Sequence, residues 1–195
     1  MKPVDVCTVF YKPFFSDLRT TEDFVNRCEN LAPSDPNHAA KIMMHQTQRL
    51  VSISDDFPRI RPQRECLQLL FLIICIETIS KIHDGFTGEG KSKKYVKRFF
   101  DKFLSQTDKD RLAATFVDNS SMLMTKIGIN EVIDLLYGIR CDVVHEGNYW
   151  GFSFFDGQTP MGNVDPNVDV YISLNELRDI IIRGCINAIN DRIGQ

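Results

Sequence analysis

The chain has 195 residues, of which 43% are hydrophobic and 25% are charged, so its composition is that of a globular domain and not of a disordered segment. A net charge of −3 argues against a general nucleic-acid coat protein, although a local basic site is compatible with it. The six cysteines are scattered without a CxxC pair, which indicates reduced thiols rather than a disulfide framework.

No signal for secretion or membrane insertion stands out. The N-terminus has no apolar signal region, and the longest apolar stretch, residues 67–76, is too short to span a bilayer. We therefore expect a soluble, cytoplasmic protein that makes no membrane contact. The length favours a single domain over residues 1–195. We expect this domain to consist of an N-terminal helical extension (1–60), a core bundle (61–147) and a hairpin with a C-terminal helix (148–195).

The N-terminal extension is expected to begin with short elements. Residues 4–11 have valines at spacings that could form a short strand. Residues 22–31 are predicted to form a helix that Pro33 ends.

A longer helix is predicted over residues 35–54, where an Asp-Pro pair favours a helix start. His38 and His45 lie seven residues apart on this helix. With no third ligand in view, we expect ordinary surface histidines and no metal site. The following residues 55–62 contain two prolines and are predicted to be a linker.

The most apolar helix is predicted over residues 63–84. Hydrophobic residues cover most of its circumference, so it should lie at the centre of the molecule with neighbours on several sides. Glu77 is the acidic residue embedded in it. It is either a carboxylate at the edge of the bundle or the partner of a buried cation.

A glycine-rich turn leads to a basic helix, predicted over residues 91–104. Six basic residues stand there against one acidic residue, interleaved with aromatic residues at helical spacing. The aromatic stripe is typical of a core-facing side, and the basic flank is most often only a solvated face. In a chain that is acidic overall, this flank is nevertheless the best candidate for contacting nucleic-acid phosphates. The candidate residues are Lys93, Lys94, Lys97 and Arg98.

A short helix is predicted over residues 107–117, and Asn130 is predicted to cap the next helix, over residues 131–146. On this second helix Arg140 falls inside the apolar arc, on the side expected to be buried. An unpaired guanidinium there would be costly, so it must meet an anion, a partner chain or a polar cleft. His145 would lie about 140° away on an ideal helix, but a glycine two residues later indicates that the helix is ending.

Tyr137, Arg140, His145 and Gly147 stand at spacings that resemble the signature of the HEPN superfamily. These are small helical-bundle proteins in which an Arg-x4-6-His motif forms a metal-independent RNase site in many members. The resemblance covers residues 65–147, and the tail more loosely. It implies a HEPN-like helical bundle whose catalytic residues are Arg140 and His145.

Four further residues are expected to support the motif. A buried guanidinium favours a bidentate carboxylate partner, and Glu77 and Asp142 compete for that role beside the motif arginine. Tyr137 belongs to the signature. Cys141 stands where active members often have a polar Asn, Asp or His, and it has no clear role here. A nucleophilic pair of Cys141 and His145 is a poor alternative, because no oxyanion feature is in view.

After the motif the pattern changes from helix to strand. Aromatic and alternating residues over 149–155 and 168–172 predict a small β-hairpin packed on the bundle. Ser173 and Glu176 form a capping box for a final helix, whose apolar positions extend over 177–189. The expected fold class is therefore mainly α, with a HEPN-like bundle and a small β-hairpin between the motif helix and the C-terminal helix.

Cleaving RNA without a metal requires a base for the 2′-hydroxyl proton, an acid for the leaving 5′-oxygen and positive charge near the phosphorane. Two histidines can divide the roles of base and acid near neutral pH, whereas one cannot easily fill both. Because the chain supplies one histidine near the arginine, we expect a two-fold homodimer that places two Arg140/His145 sets across one cleft. Arg140 would stabilise the developing charge by an amount on the order of a few kcal/mol.

Three functions compete. The first is a dimeric RNase in a toxin or defence role, with RNA as substrate and an antitoxin as partner. The second is a non-catalytic dimeric scaffold in which Arg140 and His145 hold the interface. The third is a nucleotide-binding module that uses Arg140 and the basic helix for phosphate. Cys141 and the acidic pI favour the scaffold, whereas the histidine and the basic helix favour the RNase. We favour the RNase, and expect no cofactor.

Overall fold

The structure is a computed structural model that describes residues 3–120, 125–155, 157, 161–164 and 167–194. Within these residues the fold is mainly α, with one small antiparallel sheet, as predicted. The helices are α1 (Pro3–Tyr11), α2 (Leu18–Glu29), α3 (His38–Ile60), α4 (Glu65–His83), α5 (Ser92–Phe103), α6 (Gln106–Thr115), α7 (Ile129–Cys141) and α8 (Leu174–Ile193). The strands are β1 (Phe116–Asp118), β2 (Thr125–Lys126), β3 (Met161–Val164) and β4 (Asn167–Val170).

The apolar helix α4 is central, as its hydrophobic circumference predicts. It contacts α3, α5, α7 and α8, so apolar residues are needed on several of its sides. By length and composition α4 could also cross a membrane, but half of its most apolar stretch is buried inside the molecule, as in core helices of globular proteins. The fully buried apolar side chains of α4 are those of Leu69, Leu72, Ile73, Cys75, Ile76 and Ile79.

The N-terminal segment is a helix, so the expectation of a strand over residues 4–11 is wrong. The buried side of α1 contains Cys7 and Tyr11, which are four residues apart and therefore lie on one face of a helix. The Tyr11 hydroxyl donates a hydrogen bond to the Met44 carbonyl oxygen at 2.8 Å. This contact with α3 fixes α1 on the bundle.

Helix α3 continues through the segment predicted to be a linker, so that prediction is wrong. Pro58 lies inside its last turns, where two contacts with α4 hold the chain. The Ser54 hydroxyl donates to the Gln68 carbonyl oxygen at 2.9 Å, and the rings of Phe57 and Phe71 lie 5.1 Å apart. These partners come from the next helix, and the local sequence does not reveal them.

A hairpin is present, but it is formed by β3 and β4; residues 149–155, expected to be its first strand, are in no strand, so that part of the prediction is wrong. The hairpin belongs to a larger sheet. The strand order is β2-β1-β4-β3, with antiparallel pairing throughout. Phe116 of β1 is paired with Val170 of β4, and both side chains are fully buried in the core. The short helix predicted over 107–117 therefore ends at Thr115, because the chain enters β1 at the next residue.

The starts of α7 and α8 differ in whether the predicted cap residue is correct. The carboxylate of Glu131 accepts a hydrogen bond from the Gly128 backbone N–H at 2.6 Å, and α7 begins directly after this glycine. The predicted cap, Asn130, lies inside the helix, so that prediction is wrong. Ser173 caps α8 as predicted, since its hydroxyl accepts from the Glu176 backbone N–H at 3.1 Å.

Helix α8 passes close to α5 at Gly184. A Cβ atom added at Gly184 would lie 2.7 Å from a ring carbon of Phe99 and 2.8 Å from a methyl carbon of Leu104. We expect Gly184→Ala to lower the free energy of unfolding by about 1–3 kcal/mol, the usual cost of overpacking a core. The midpoint of urea unfolding measures this change.

The matched control is Gly138→Ala on α7. A Cβ atom there would meet no other atom within 4 Å, so alanine can be added freely. Because alanine favours the helix interior over glycine, we expect this variant to gain about 0.5–1 kcal/mol. Equal stability of Gly184→Ala and the unmodified chain would contradict the close packing of α8 on α5.

Candidate functional site

The motif helix ends in a widened turn. After α7, residues Asp142–Glu146 form a π-helical turn, and Gly147 follows in the left-handed conformation with φ 66°. The Gly147 backbone N–H donates to the Asp142 carbonyl oxygen, which also accepts from the Asn148 backbone N–H at 3.2 Å. Each residue of a π turn advances through a smaller angle than in an α-helix. On such a turn, we expect the position of His145 to be nearer to the side of Arg140 than the 140° of an ideal α-helix.

Arg140 is largely buried, and its side chain is 18% exposed. Its Nη2 atom lies 3.9 Å from Glu77 Oε2, and its guanidinium carbon lies 5.7 Å from the ring centre of Tyr137. The buried Nε atom makes no hydrogen bond with the described residues. The structure thus places Glu77, and not Asp142, beside the motif arginine.

Glu77 is bound more closely to two other groups than to Arg140. Its Oε1 atom accepts from the Lys81 ammonium group at 2.5 Å and from the Ser92 hydroxyl at 2.7 Å. The distance of 3.9 Å to Arg140 is too long for a hydrogen bond. Glu77 therefore supplies a nearby negative charge to Arg140 without hydrogen-bonding to its guanidinium group.

Tyr137 and Cys141 lie one turn apart on α7. Burial, together with the neighbouring Cys141, raises the pKa of the Tyr137 hydroxyl above its ordinary value. Tyr137 consequently stays protonated at neutral pH and can only donate or share its proton. The ring of Tyr137 packs against the Arg140 guanidinium, a contact typical of a cation–π pair.

His145 is exposed, as are Asp142 and Glu146 on the same π turn. Within the described part of the chain, the His145 ring makes no hydrogen bond or ion pair, so both of its nitrogens are open to a ligand. The two acidic neighbours make the surface around the ring mixed in charge. This arrangement can exchange protons with a bound molecule, and it presents one histidine per chain.

The basic flank of α5 is largely neutralised. Lys93 and Lys97 both approach Asp134 Oδ1, at 3.1 and 3.2 Å, and Asp134 belongs to the motif helix. Partial burial alone would raise the pKa of Asp134, but the two ammonium groups lower it. Arg98 is paired with Asp84 at 2.9 Å. Of the four residues predicted to contact phosphates, three therefore already have carboxylate partners.

Lys94 is the fourth of these residues. It is exposed and has no carboxylate partner among the described residues. Together with Lys97, Arg98, Asp101 and Lys102 it lines an open surface pocket of about 580 Å³. The structure therefore leaves one lysine of the predicted phosphate-binding set free for a ligand.

Trp150 is a candidate that the sequence pattern did not single out. Its side chain is 63% exposed, and its ring lies edge-on to that of Tyr149 at 4.7 Å. It follows His145 by five residues, and Val144 on the π turn is also exposed. The signal available in the sequence was the position of the only tryptophan of the chain, directly after the motif.

The two histidines of α3 are half-buried, and both contact other residues of the chain. His45 Nε2 lies 2.8 Å from Glu29 Oε1, and its Nδ1 lies 3.6 Å from Cys7 Sγ. His38 Nδ1 lies 3.1 Å from the Leu31 carbonyl oxygen. Burial raises the pKa of Cys7 to about 11, so this thiol is not a ready nucleophile. No three His, Cys, Asp or Glu side chains converge on a metal position within the residues described.

His83 gives the fold a pH dependence that is separate from the motif. Its side chain is 3% exposed, stacks near Phe103, and has Nε2 2.8 Å from Asp191 Oδ2. Burial lowers the pKa of His83 from 6.5, assisted by the positive charges of Lys102 and Arg98 and opposed by Asp191. The stabilising contribution of neutral His83 is therefore present above pH 6.5 and is lost as the pH falls through the lowered value.

We expect urea-unfolding midpoints to fall between neutral pH and about pH 5. In His83→Asn the urea-unfolding midpoint should fall less over this pH range, because the asparagine side chain takes up no proton. Equal declines in the two proteins would exclude His83 as the cause.

Comparison of the chain with models of known protein families, with curated proteins and with solved structures finds no significant match in any of the three.

Proposed function

We propose that the chain is a metal-independent endoribonuclease of the HEPN type that acts as a homodimer in the cytoplasm, in a toxin or defence role. The observation that carries this proposal is the end of α7. There an accessible His145 on a π turn follows a largely buried Arg140 whose hydrogen-bonding capacity is incompletely used. A positive charge beside a group that exchanges protons is the arrangement that metal-free RNA cleavage needs.

The chemistry divides between these two side chains. A neutral imidazole accepts the proton of the 2′-hydroxyl, whose oxygen attacks phosphorus, while a protonated imidazole donates to the departing 5′-oxygen. The products are a 2′,3′-cyclic phosphate and a free 5′-hydroxyl. Arg140 stabilises the charge that develops on the phosphorane, and Tyr137 and Glu77 hold its guanidinium in place.

A second copy of the chain supplies the second imidazole. A two-fold axis beside α7 would bring two His145 rings to one scissile phosphate without any further catalytic residue. Val144, which is 48% exposed, offers an apolar contact on the adjoining turn.

Two measurements test the proposal together. Purified protein incubated with mixed RNAs in EDTA should produce fragments with cyclic phosphate ends, and its mass in solution should be that of a dimer. A strict monomer would leave the reaction without its acid. Intact RNA after incubation with a folded dimer would end the nuclease proposal and favour the second candidate.

The second candidate is a non-catalytic dimeric scaffold. It is favoured by the internal partners of the charged residues, because Arg140 already lies beside Glu77 and three of the four candidate basic residues of α5 are paired. In such a protein His145 would contact the partner copy. A nucleotide-binding module is less well supported, because the same pairing leaves few free cations for phosphate.

Any antitoxin partner would have to cover the motif surface. Its recognition would then use the exposed residues of the π turn, Asp142, Val144, His145 and Glu146.

A further inference from the structure

The aromatic residues after the motif differ in how far they are buried. Phe152 and Phe154 are buried in the core, whereas Trp150 is 63% exposed. Burying a large apolar side chain typically stabilises a protein by about 1.5–3 kcal/mol. The exposed indole does not make this contribution, whereas Phe152 and Phe154 do. The exposed indole of Trp150 is therefore free to contact a ligand.

The exposed ring is nevertheless firmly placed. On its N-terminal side, the Asn148 backbone N–H donates to the Asp142 carbonyl oxygen and closes the chain onto the π turn. On its C-terminal side, the Phe154 backbone N–H donates to Glu65 Oε2 at 2.9 Å. The Tyr149 ring meets the indole edge-on, with 77° between the ring planes. Anchors on both sides give a rigid aromatic surface, which loses little entropy when a ligand stacks on it.

The same connections keep Trp150 near the catalytic histidine. Five residues of fully extended chain span at most about 18 Å, and the turn at Gly147 makes the separation from His145 shorter than that. A nucleotide next to the cleaved bond lies within this range. The Trp150 ring can thus contact the same RNA molecule whose phosphate lies at His145.

We infer that Trp150 stacks on an unpaired base next to the cleaved bond, so that the substrate of the site is single-stranded RNA. This inference rests on the proposed RNase function and adds the substrate class to it. Proteins read single-stranded RNA by stacking splayed bases on aromatic rings, and bases within a duplex are not available for such contacts. One base stack contributes about 1–3 kcal/mol to binding.

A protein partner fits this surface less well than a base. Between His145 and Phe152, the residues other than Tyr149 and Trp150 are polar or glycine, namely Glu146, Gly147, Asn148 and Gly151. A stable protein interface buries about 800 Å² on each partner. A single exposed ring among polar neighbours matches one planar base better than it matches such an interface.

The chain allows a direct test, because Trp150 is its only tryptophan and therefore its only source of indole fluorescence. The protein would be the His145→Ala variant in EDTA, so that the RNA stays intact. We expect a short single-stranded oligoribonucleotide to quench the emission saturably, and the blunt duplex of the same sequence to leave it nearly unchanged. No quenching by the single strand, or equal quenching by both forms, would overturn the inference.

A second measurement uses a labelled oligoribonucleotide and fluorescence anisotropy. In the same His145→Ala background, Trp150→Ala should weaken binding about 5- to 150-fold, which corresponds to the loss of one base stack. Ile60→Ala, at a residue 68% exposed in the last turn of α3, is the matched control and should bind normally. Equal binding by the Trp150 variant and this control would overturn the inference.

The outcomes separate the two proposals. Cleavage of RNA by the unmodified chain together with normal binding by Trp150→Ala would leave the RNase standing and remove the stacking role. Quenching by single strands without any cleavage would leave the stacking role and remove the RNase. A blue shift of the emission on concentrating the protein without RNA would show that a second copy covers Trp150, and would overturn the stacking role.

Discussion

Replacing His145 by alanine is expected to lower the rate of RNA cleavage by about 10²- to 10⁴-fold, the range that general acid–base groups contribute. The side chain is exposed and makes no bond with other described residues, so its removal should change the free energy of unfolding by less than about 0.5 kcal/mol. The measurement is kcat/KM on a single-stranded RNA in EDTA, beside a thermal melt. A loss of activity at unchanged stability then belongs to the chemistry and not to the fold.

Glu146→Ala is the matched control for this variant. Glu146 lies on the same π turn, is equally exposed, and has no part in the proposed proton transfers. Its replacement should leave cleavage intact. A bell-shaped dependence of the rate on pH in the unmodified chain would agree with one neutral and one protonated imidazole. Equal cleavage by the two variants would assign the activity to a contaminating nuclease.

Replacing Arg140 by alanine is expected to lower kcat by about 10²- to 10³-fold, the cost of removing one group that stabilises transition-state charge. The fold should tolerate this change, because Glu77 keeps Lys81 and Ser92 as partners when the guanidinium is lost. Arg140→Lys keeps the charge but loses the planar set of donors, so it should restore only part of the rate. Single-turnover kinetics at saturating RNA separate kcat from KM.

A rise in KM with unchanged kcat would contradict this role and would make Arg140 a group that only binds phosphate. Glu77→Gln is an informative companion, because it removes the negative charge near Arg140 while keeping a side chain of similar size. We expect a smaller loss of rate in this variant, since Glu77 positions the arginine and does not touch the RNA.

The parts of the fold that depend on local pattern could be predicted. The central position of α4 follows from its apolar circumference, and the start of α8 follows from the Ser173 cap. Elements held by distant partners could not. α3 continues past Pro58 because Phe57 stacks on Phe71, and the two-residue strand β2 is defined only by its pairing with β1.

The candidate site divides in the same way. The positions of Arg140 and His145 on one helix end follow from helical periodicity, and the need of Arg140 for a carboxylate partner follows from the cost of burying a charge. The choice of Glu77 over Asp142 required knowing how α4 packs on α7. The π turn depends on hydrogen bonds that form only in the folded chain, so no sequence pattern predicts it. The neutralisation of Lys93 and Lys97 by Asp134 required knowing that α5 lies beside α7.

The link between these two lysines and Asp134 has a consequence for how a polyanion would bind. Lysine side chains that neutralise the phosphates of a nucleic acid displace the cations condensed on it, and the release of these cations contributes free energy to binding. Here the acidic partner of both ammonium groups is a side chain of the same molecule, fixed on α7. Binding of RNA to these lysines would release few ions. Recognition would then have to depend on shape and stacking, and the affinity for RNA would vary little with ionic strength.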